Sequence, residues 1–117
     1  MDIHLADGTG DAEYLDRLAN GMNAAYAVFH PELVVYVAGA DPYYEDQLGG
    51  LCLTLEGLAK RDRMVIDTGL AHTAAVAIVL AGGYAANVAD TVYIQAGTAK
   101  MAKAALDQHR QAVKKGD

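Results

Sequence analysis

Apolar positions along the chain follow two kinds of spacing, one typical of helices and the other of buried strands. Between residues 15 and 29 they recur every three or four positions, which predicts an amphipathic helix of about five turns that ends near His30 and Pro31. Two shorter runs, 33–37 and 75–80, are continuously apolar and rich in β-branched residues. Each run is predicted to be a strand covered on both faces. Helical spacing returns after Thr54 and again after Asn87.

Capping and turn residues set the expected limits of these elements. Asp11 is a suitable N-cap for the first helix and Thr54 for the second, which Gly69 is expected to end, and Asn87 or Asp90 can open the third. A short apolar segment at residues 3–5 is predicted to be an additional first strand. The expected order is therefore β-α-β-α-β-α, which implies a parallel sheet with right-handed crossovers. The predicted class is α/β, in a single domain over residues 1–117.

Composition and charge narrow the possible functions. The chain has 117 residues and a formal net charge of −6, and its basic residues are dispersed apart from Lys114 and Lys115, which disfavours a nucleic-acid-binding surface. Cys52 lies between two leucines and is expected to be a small buried apolar residue. The N-terminus lacks the pattern of a signal peptide, and no apolar run approaches the roughly 20 residues of a membrane helix. We therefore expect a soluble cytoplasmic protein with no membrane partner.

Each of the two clear strands is followed by a loop that carries one chemically capable side chain. The first loop contains Asp41 and the second contains Tyr84, and such positions are where open α/β sheets usually build their sites. A carboxylate can bind a metal and a phenol can donate to a developing oxyanion, so the pair suggests metal-assisted attack on a carbonyl. Taken singly, Asp41 could simply cap its loop and Tyr84 could simply pack. Phosphate binding by Gly82 and Gly83 is a weaker alternative, because no G-x-G-x-x-G or Walker lysine accompanies them.

Four segments carry a resemblance to a known family. They are DGTGDAEYL at residues 7–15, GADPYYEDQLGG at 39–50, TLEGL at 54–58 and GGY at 82–84. In order and spacing they resemble the histone deacetylase family, particularly its bacterial deacetylase and acetoin-utilisation-like members. The resemblance covers nearly the whole chain but only the C-terminal third or so of the family's domain.

The resemblance implies a fold and a set of roles. The fold would be part of the three-layer arginase/deacetylase architecture. Asp41 would be one of three protein ligands to a catalytic zinc, and Tyr84 would hydrogen-bond the substrate carbonyl as it becomes an oxyanion. Leu48, Gly82 and Gly83 would line the pocket for the acyl-lysine. These roles agree with elementary chemistry, because zinc lowers the pKa of its bound water toward ~7 while a phenol with a pKa near ~10 stays protonated and can donate.

The same resemblance exposes what the chain lacks. The family also uses an Asp-x-His segment on the metal and a His-His pair, both upstream of the matching region, and no His-His occurs in these residues. Asp2 and His4 have the Asp-x-His spacing, but the motif beside them matches a later part of the family, so His4 is not assigned as a ligand. Because a catalytic zinc normally has three protein ligands, the chain alone is expected to hold no stoichiometric zinc.

Two hypotheses remain open from the sequence. The chain is either a truncated or split piece of a deacetylase-like hydrolase whose missing ligands come from a complementary chain, or a free-standing binding domain that kept the fold and lost catalysis. In both cases the missing upstream elements should leave an apolar flank or edge exposed. Self-association would cover such a surface, so a homo-oligomer is expected.

Overall fold

The computed structural model describes residues 1–72 and 74–116, which form a parallel two-stranded sheet with three helices. The strands β1 (Leu33–Ala38) and β2 (Ala75–Leu80) pair in register from Leu33 opposite Ala75 to Ala38 opposite Leu80. The predicted α/β class and parallel sheet are confirmed. The elements in chain order are α1 (Asp11–Val28), β1 (Leu33–Ala38), α2 (Leu55–Ala71), β2 (Ala75–Leu80) and α3 (Val88–Gly116).

The predicted first strand at residues 3–5 is wrong. In the described part of the chain the sheet contains β1 and β2 alone, so this segment has no strand beside it to complete a ladder. Its Ile3 side chain instead lies against Gly21 of α1, where the absence of a side chain leaves room for it. The order of elements therefore begins with α1, and the β-α-β-α-β-α order becomes α-β-α-β-α.

The structure confirms some of the predicted helix caps and limits and contradicts others. Thr54 is the N-cap of α2, and its Oγ1 accepts a hydrogen bond of 3.0 Å from the amide of Gly57. Asp11 does not cap α1, because its carboxylate instead accepts from the amide and hydroxyl of Thr54, at 2.9 and 2.6 Å. Gly69 does not end α2, which continues to Ala71. Over the described residues, no helix combines the length and the apolar character of a membrane-spanning segment.

Cys52 is exposed, and the expectation that it is buried is wrong. The backbone around it is extended, because the amide of Cys52 bonds to the carbonyl of Thr9 at 2.8 Å. In an extended segment successive side chains point to opposite sides. Leu51 and Leu53 therefore turn toward the core, and Cys52 turns to solvent.

One face of the sheet carries the helices and the opposite face is open. Tyr36 bonds to α2, and Val76 and Ile78 share a depression with side chains of α2 and α3. The alternate side chains of the strands are exposed, so the prediction of cover on both faces is wrong for the described residues, while the expected exposed apolar flank is confirmed. The large side chains of this open face, with their exposed fractions, are Leu33 57%, Val35 57%, Val37 63% and Val79 50%.

Candidate active site

Two loops meet at the carboxyl ends of the strands and contribute residues to the hydrophobic core. The Asp41 loop (residues 39–53) follows β1 and the Tyr84 loop (residues 81–87) follows β2. Because the strands are parallel and end opposite each other, both loops leave the sheet at the same edge. The predicted site residues Asp41, Leu48, Gly82, Gly83 and Tyr84 therefore all belong to one edge. The loops themselves contribute to a core cluster that also includes residues of α2 and α3, and its members are Ala40, Tyr43, Leu53, Leu58, Ala85 and Ile94.

Backbone hydrogen bonds join the two loops to each other. They do not depend on side-chain identity, and they connect residues 40–47 of the Asp41 loop with residues 82–86 of the Tyr84 loop. Such bonds remove much of the freedom that a surface loop would otherwise have. The amide of Ala40 donates to the carbonyl of Gly82 at 2.6 Å. In the same way, the amide of Gln47 donates to the carbonyl of Tyr84 at 3.0 Å, and the amide of Ala86 donates to the carbonyl of Glu45 at 3.0 Å.

Asp46 links the loops through its carboxylate. Its Oδ1 accepts from the amides of Leu48 and Gly49 at 2.9 and 2.8 Å, and its Oδ2 accepts from the amide of Tyr84 at 2.7 Å. Burial by itself disfavours the charged form of Asp46, but the three amides, that of Tyr84 foremost, outweigh it and lower the pKa of this carboxyl below its ordinary value. Asp46 is thus a structural residue that bonds backbone amides of both loops.

The two glycines before Tyr84 differ in their surroundings. A Cβ on Gly83 would lie 2.7 Å from Cγ2 of Thr91 and 2.8 Å from Cβ of Ala40, which is closer than real Cβ atoms approach. A Cβ on Gly82 would meet only the ring of Tyr84, at 4.0 Å. Close packing therefore requires a glycine at position 83, whereas position 82 has room for a side chain.

The side chains with proposed chemical roles face solvent. Asp41 is exposed, Tyr84 is 59% exposed and Leu48 is 74% exposed. Gly49 packs so closely on the backbone carbonyl of Asp41 that a Cβ would collide with it, which fixes the backbone of the Asp41 loop while the carboxylate stays accessible. The backbones that carry Asp41 and Tyr84 are thus fixed by their surroundings.

A buried polar cluster beneath the Asp41 loop was not foreseen from the sequence. Arg61 donates from Nη1 to the carbonyl of Gly39 at 2.6 Å and from Nε and Nη2 to Asp62 at 3.1 and 2.9 Å. Asp62 also accepts from the hydroxyls of Tyr36 and Thr98, both at 2.5 Å. Each partner of the buried ion pair is thereby hydrogen-bonded, as a buried charge requires. The cluster connects α2, α3 and β1 and supports the start of the Asp41 loop.

The sequence did contain a signal for this cluster. Arg61 and Asp62 lie three and four residues after buried Leu58, on the same helix face, so a charged pair interrupts an otherwise apolar stripe. Burial, together with the hydrogen bond to Asp62, raises the pKa of Tyr36 well above its ordinary value, although Arg61 opposes the shift. The phenol of Tyr36 is therefore a hydrogen-bond donor at every physiological pH.

The neighbouring tyrosines have separate roles. Tyr43 is 4% exposed, and its hydroxyl donates to Asp90 of α3 at 2.9 Å, whereas Tyr44 is 53% exposed. Burial and the bond to Asp90 raise the pKa of Tyr43. Tyr43 thus covers the edge of the core and ties the Asp41 loop to α3. Asp90 lies within the first turn of α3, and Asn87, the residue before the helix, caps it: Asn87 Oδ1 accepts from the amide of Ala89 at 3.1 Å.

The metal-binding capacity of the described residues is limited. Within residues 1–72 and 74–116, no group of three or more histidine, cysteine, aspartate and glutamate side chains is arranged to hold a metal ion. His4 is exposed near the N-terminus and belongs to no such group. Asp41 is a carboxylate that could contribute to a site made with residues from elsewhere.

Sequence comparisons identify similar proteins. The profile of the histone deacetylase domain matches residues 1–102. An uncharacterized protein of Picosynechococcus sp. is 42% identical over 93 residues, which are 80% of this chain and 31% of that protein. Histone deacetylase 2 of Arabidopsis thaliana is 33% identical over 82 residues, 70% of this chain and 21% of that protein.

Solved structures share the fold. An acetylpolyamine aminohydrolase from Burkholderia pseudomallei superposes with a TM-score of 0.67 at 18% identity, over 90% of this chain and 28% of its own. A histone deacetylase homologue from Aquifex aeolicus superposes with a TM-score of 0.65 at 23% identity, over 92% of this chain and 31% of its own. The chain thus spans less than a third of the length of each of these relatives.

Proposed function

The chain belongs to the histone deacetylase family, and from that premise we propose that it is one part of a zinc-dependent, deacetylase-like amide hydrolase and is inactive by itself. The rest of the domain would come from a second polypeptide, which we call the complementing chain. The observation that carries the proposal is the pairing of an exposed carboxylate and an exposed phenol on two loops bonded to each other at one sheet edge.

Asp41 and Tyr84 have distinct proposed roles. The carboxylate of Asp41 would be one ligand of a zinc site completed by the complementing chain. The phenol of Tyr84 would donate a hydrogen bond to the carbonyl oxygen of the scissile amide. This hydrogen bond is strongest when the oxygen gains negative charge in the transition state. Leu48 and the glycines Gly82 and Gly83 would form one side of the pocket for the acyl-lysine.

The residues present do not fit a complete zinc site. A catalytic zinc is held by about three protein ligands, and a single carboxylate in water competes poorly with hydration. Within residues 1–72 and 74–116, Asp41 belongs to no group of three or more potential metal ligands. We therefore propose that the chain binds no stoichiometric zinc until the complementing chain supplies the other ligands.

Reconstitution tests this proposal. The probe is the Picosynechococcus relative from which the 93-residue region matched by this chain has been removed. Mixing it with this chain should release acetate from an acetyl-lysine peptide, and a zinc chelator should abolish the release. Asp41→Ala should abolish activity, and Tyr84→Phe should lower kcat by about 10²–10³ as expected for an oxyanion donor.

The matched control is Asp107→Ala, at a half-exposed aspartate on α3 whose carboxylate pairs with Lys103 one turn earlier. It should leave kcat and KM unchanged. Activity of this chain by itself, or an active complex that tolerates Asp41→Ala, would contradict the proposal.

The open apolar face favours a second candidate, a free-standing oligomeric interaction domain that has lost catalysis. The four large apolar side chains on the open face of the sheet are each at least half exposed, and an exposed apolar patch of this kind is unusual for a stable monomer. Sedimentation analysis of the purified chain, combined with metal analysis, separates the candidates. A stable homo-oligomer that does not bind the complementing chain would favour this second function.

A further inference from the structure

The outer edge of β1 has free backbone groups whose positions follow from the strand register. The amide of Ala75 bonds to the carbonyl of Glu32, and Leu33 lies opposite Ala75. In a parallel ladder this places the amides and carbonyls of the even-numbered residues of β1 toward β2. Those of Leu33 and Val35, and the amide of Val37, point the other way, where the described residues provide no third strand.

Beside this edge lies an apolar groove of about 460 Å³ between β1 and α1. Helix α1 packs on α2, and the groove is lined by residues of α1 and by consecutive residues of β1 but by none of β2, so it borders the edge of β1 that does not pair with β2. Its lining includes Leu18 and Met22 from α1, Phe29 directly after α1, and Val34 and Tyr36 from β1. Phe29 is 66% exposed.

From this geometry we infer that the edge of β1 and the groove receive a β-strand of the complementing chain, running parallel to β1. The strand would extend the sheet through main-chain hydrogen bonds to Leu33, Val35 and Val37, and its alternate side chains would fill the groove beneath α1. The inference rests on the proposed function, because it names the contact by which the two polypeptides assemble.

Two observations support this occupant over others. The chain covers only 28–31% of the solved relatives, while 90–92% of it superposes on them, so the relatives contain more than two thirds of a domain that this chain does not supply. The groove also has one charged side chain, Arg61, which is already bonded to Asp62 and to Gly39. The incoming side chains should therefore be apolar, not acidic.

Val35 provides a sharp test, because its amide points outward while its neighbours pair with β2. Val35→Pro removes only an outward donor, and proline is tolerated on an edge strand at such a position. Val35→Ala is the matched control, since it shortens the same side chain but keeps the amide. With the truncated Picosynechococcus relative as the probe, we expect Val35→Pro to weaken binding at least tenfold and Val35→Ala to weaken it less than threefold, measured by sedimentation.

A second pair of variants tests the groove without touching the strand. Met22→Lys places a charge under α1, whereas Asn23→Lys places the same charge on the exposed side of that helix. Only Met22→Lys should weaken binding of the probe. Circular dichroism of each variant alone checks that it is folded, so that loss of binding is not loss of structure.

Amide exchange gives a readout that needs no activity. On binding, the amides of Leu33, Val35 and Val37 should become protected, whereas those of Val34 and Tyr36 are already bonded to β2 and should change little. Equal binding by Val35→Pro and Val35→Ala, or the absence of new protection at the odd-numbered amides, would overturn the inference. So would homodimerisation of this chain through the same edge.

The outcomes also separate this inference from the proposed function. A complex that forms with the expected protection but hydrolyses no acetyl-lysine peptide would refute the enzymatic proposal and leave the docking site intact. A complex that is active but insensitive to Val35→Pro and Met22→Lys would refute the docking site alone.

Discussion

Asp46 and Asp41 lie five positions apart in one loop, yet the structure predicts opposite consequences for the same substitution. Asp46→Asn removes the charge of a buried carboxylate that holds three backbone amides. Asp41→Asn removes the charge of an exposed carboxylate. The first should destabilise the isolated chain and the second should not, although only Asp41 has a proposed chemical role.

The magnitude follows from the atoms involved. The side-chain oxygen of an asparagine at Asp46 can still accept from the amides of Leu48 and Gly49, but its NH₂ group would then face the amide of Tyr84, donor against donor. One charge-assisted hydrogen bond is lost and a partly buried N–H is left unpaired, so the free energy of unfolding should fall by about 2–4 kcal/mol. Asp41→Asn should change it by less than about 0.5 kcal/mol, as for other surface substitutions.

The stabilisation that Asp46 provides should decrease as the pH is lowered into the acidic range. Because the folded protein lowers the pKa of Asp46, its contribution to stability is complete above the unfolded value of about 3.9 and is lost as the pH falls through the lower folded value. The stability difference between the wild-type chain and Asp46→Asn should therefore be constant at neutral pH and shrink below about pH 3.9.

Urea denaturation at neutral and acidic pH measures both quantities, and amide exchange at Tyr84 reports the local opening. Equal stabilities for the two asparagine variants at pH 7 would refute the assignment of Asp46 as the link between the loops. An exchange rate at Tyr84 that is unaffected by Asp46→Asn would do the same, even if the global stability fell.

Three further predictions concern packing, capping and the thiol. Gly83→Ala should destabilise the chain by about 1–3 kcal/mol, because its Cβ would collide with Thr91, whereas Gly82→Ala should change stability by less than about 0.5 kcal/mol in the same urea titration. Thr54→Ala should cost about 1–2 kcal/mol by removing the cap of α2, and Thr54→Ser should restore most of it; equal melting curves for the two variants would contradict the capping role. Cys52 should react stoichiometrically with a thiol reagent in the folded chain, and reaction only after addition of urea would show that the thiol is buried.

The regular elements were predictable because their signals are local. The run at 75–80 was assigned its correct limits, and Thr54 was identified as a cap, since apolar spacing and a capping hydroxyl act over a few residues. The segment at residues 3–5 failed because a strand exists only with a neighbour, and no neighbour is encoded in the segment itself. Gly69 was misassigned as a stop because a glycine inside a helix can also serve the approach of a neighbouring strand, here β2.

The location of the candidate site could be predicted from the sequence, but most of the contacts that hold its loops in place could not. Strand ends and motifs located Asp41 and Tyr84 on one sheet edge, because parallel strands bring their carboxyl ends together. The contacts that hold the loops join residues far apart in the chain. Arg61, paired with Asp62, donates to the Asp41 loop at Gly39, and Asp46 accepts from the amide of Tyr84 in the other loop. Such contacts leave a weak trace in the sequence, here a charged pair within an apolar helix face.

The backbone bonds between the Asp41 and Tyr84 loops have a consequence for substitutions at this edge. Since the amides of Ala40, Gln47 and Ala86 bond to main-chain carbonyls, the placement of the loops is largely independent of which side chains stand at positions 41 and 84. Substitutions at those two positions should therefore change the chemical groups displayed at this edge without disturbing the backbone that presents them. The placement of the loops and the identity of the displayed side chains can thus change independently of each other.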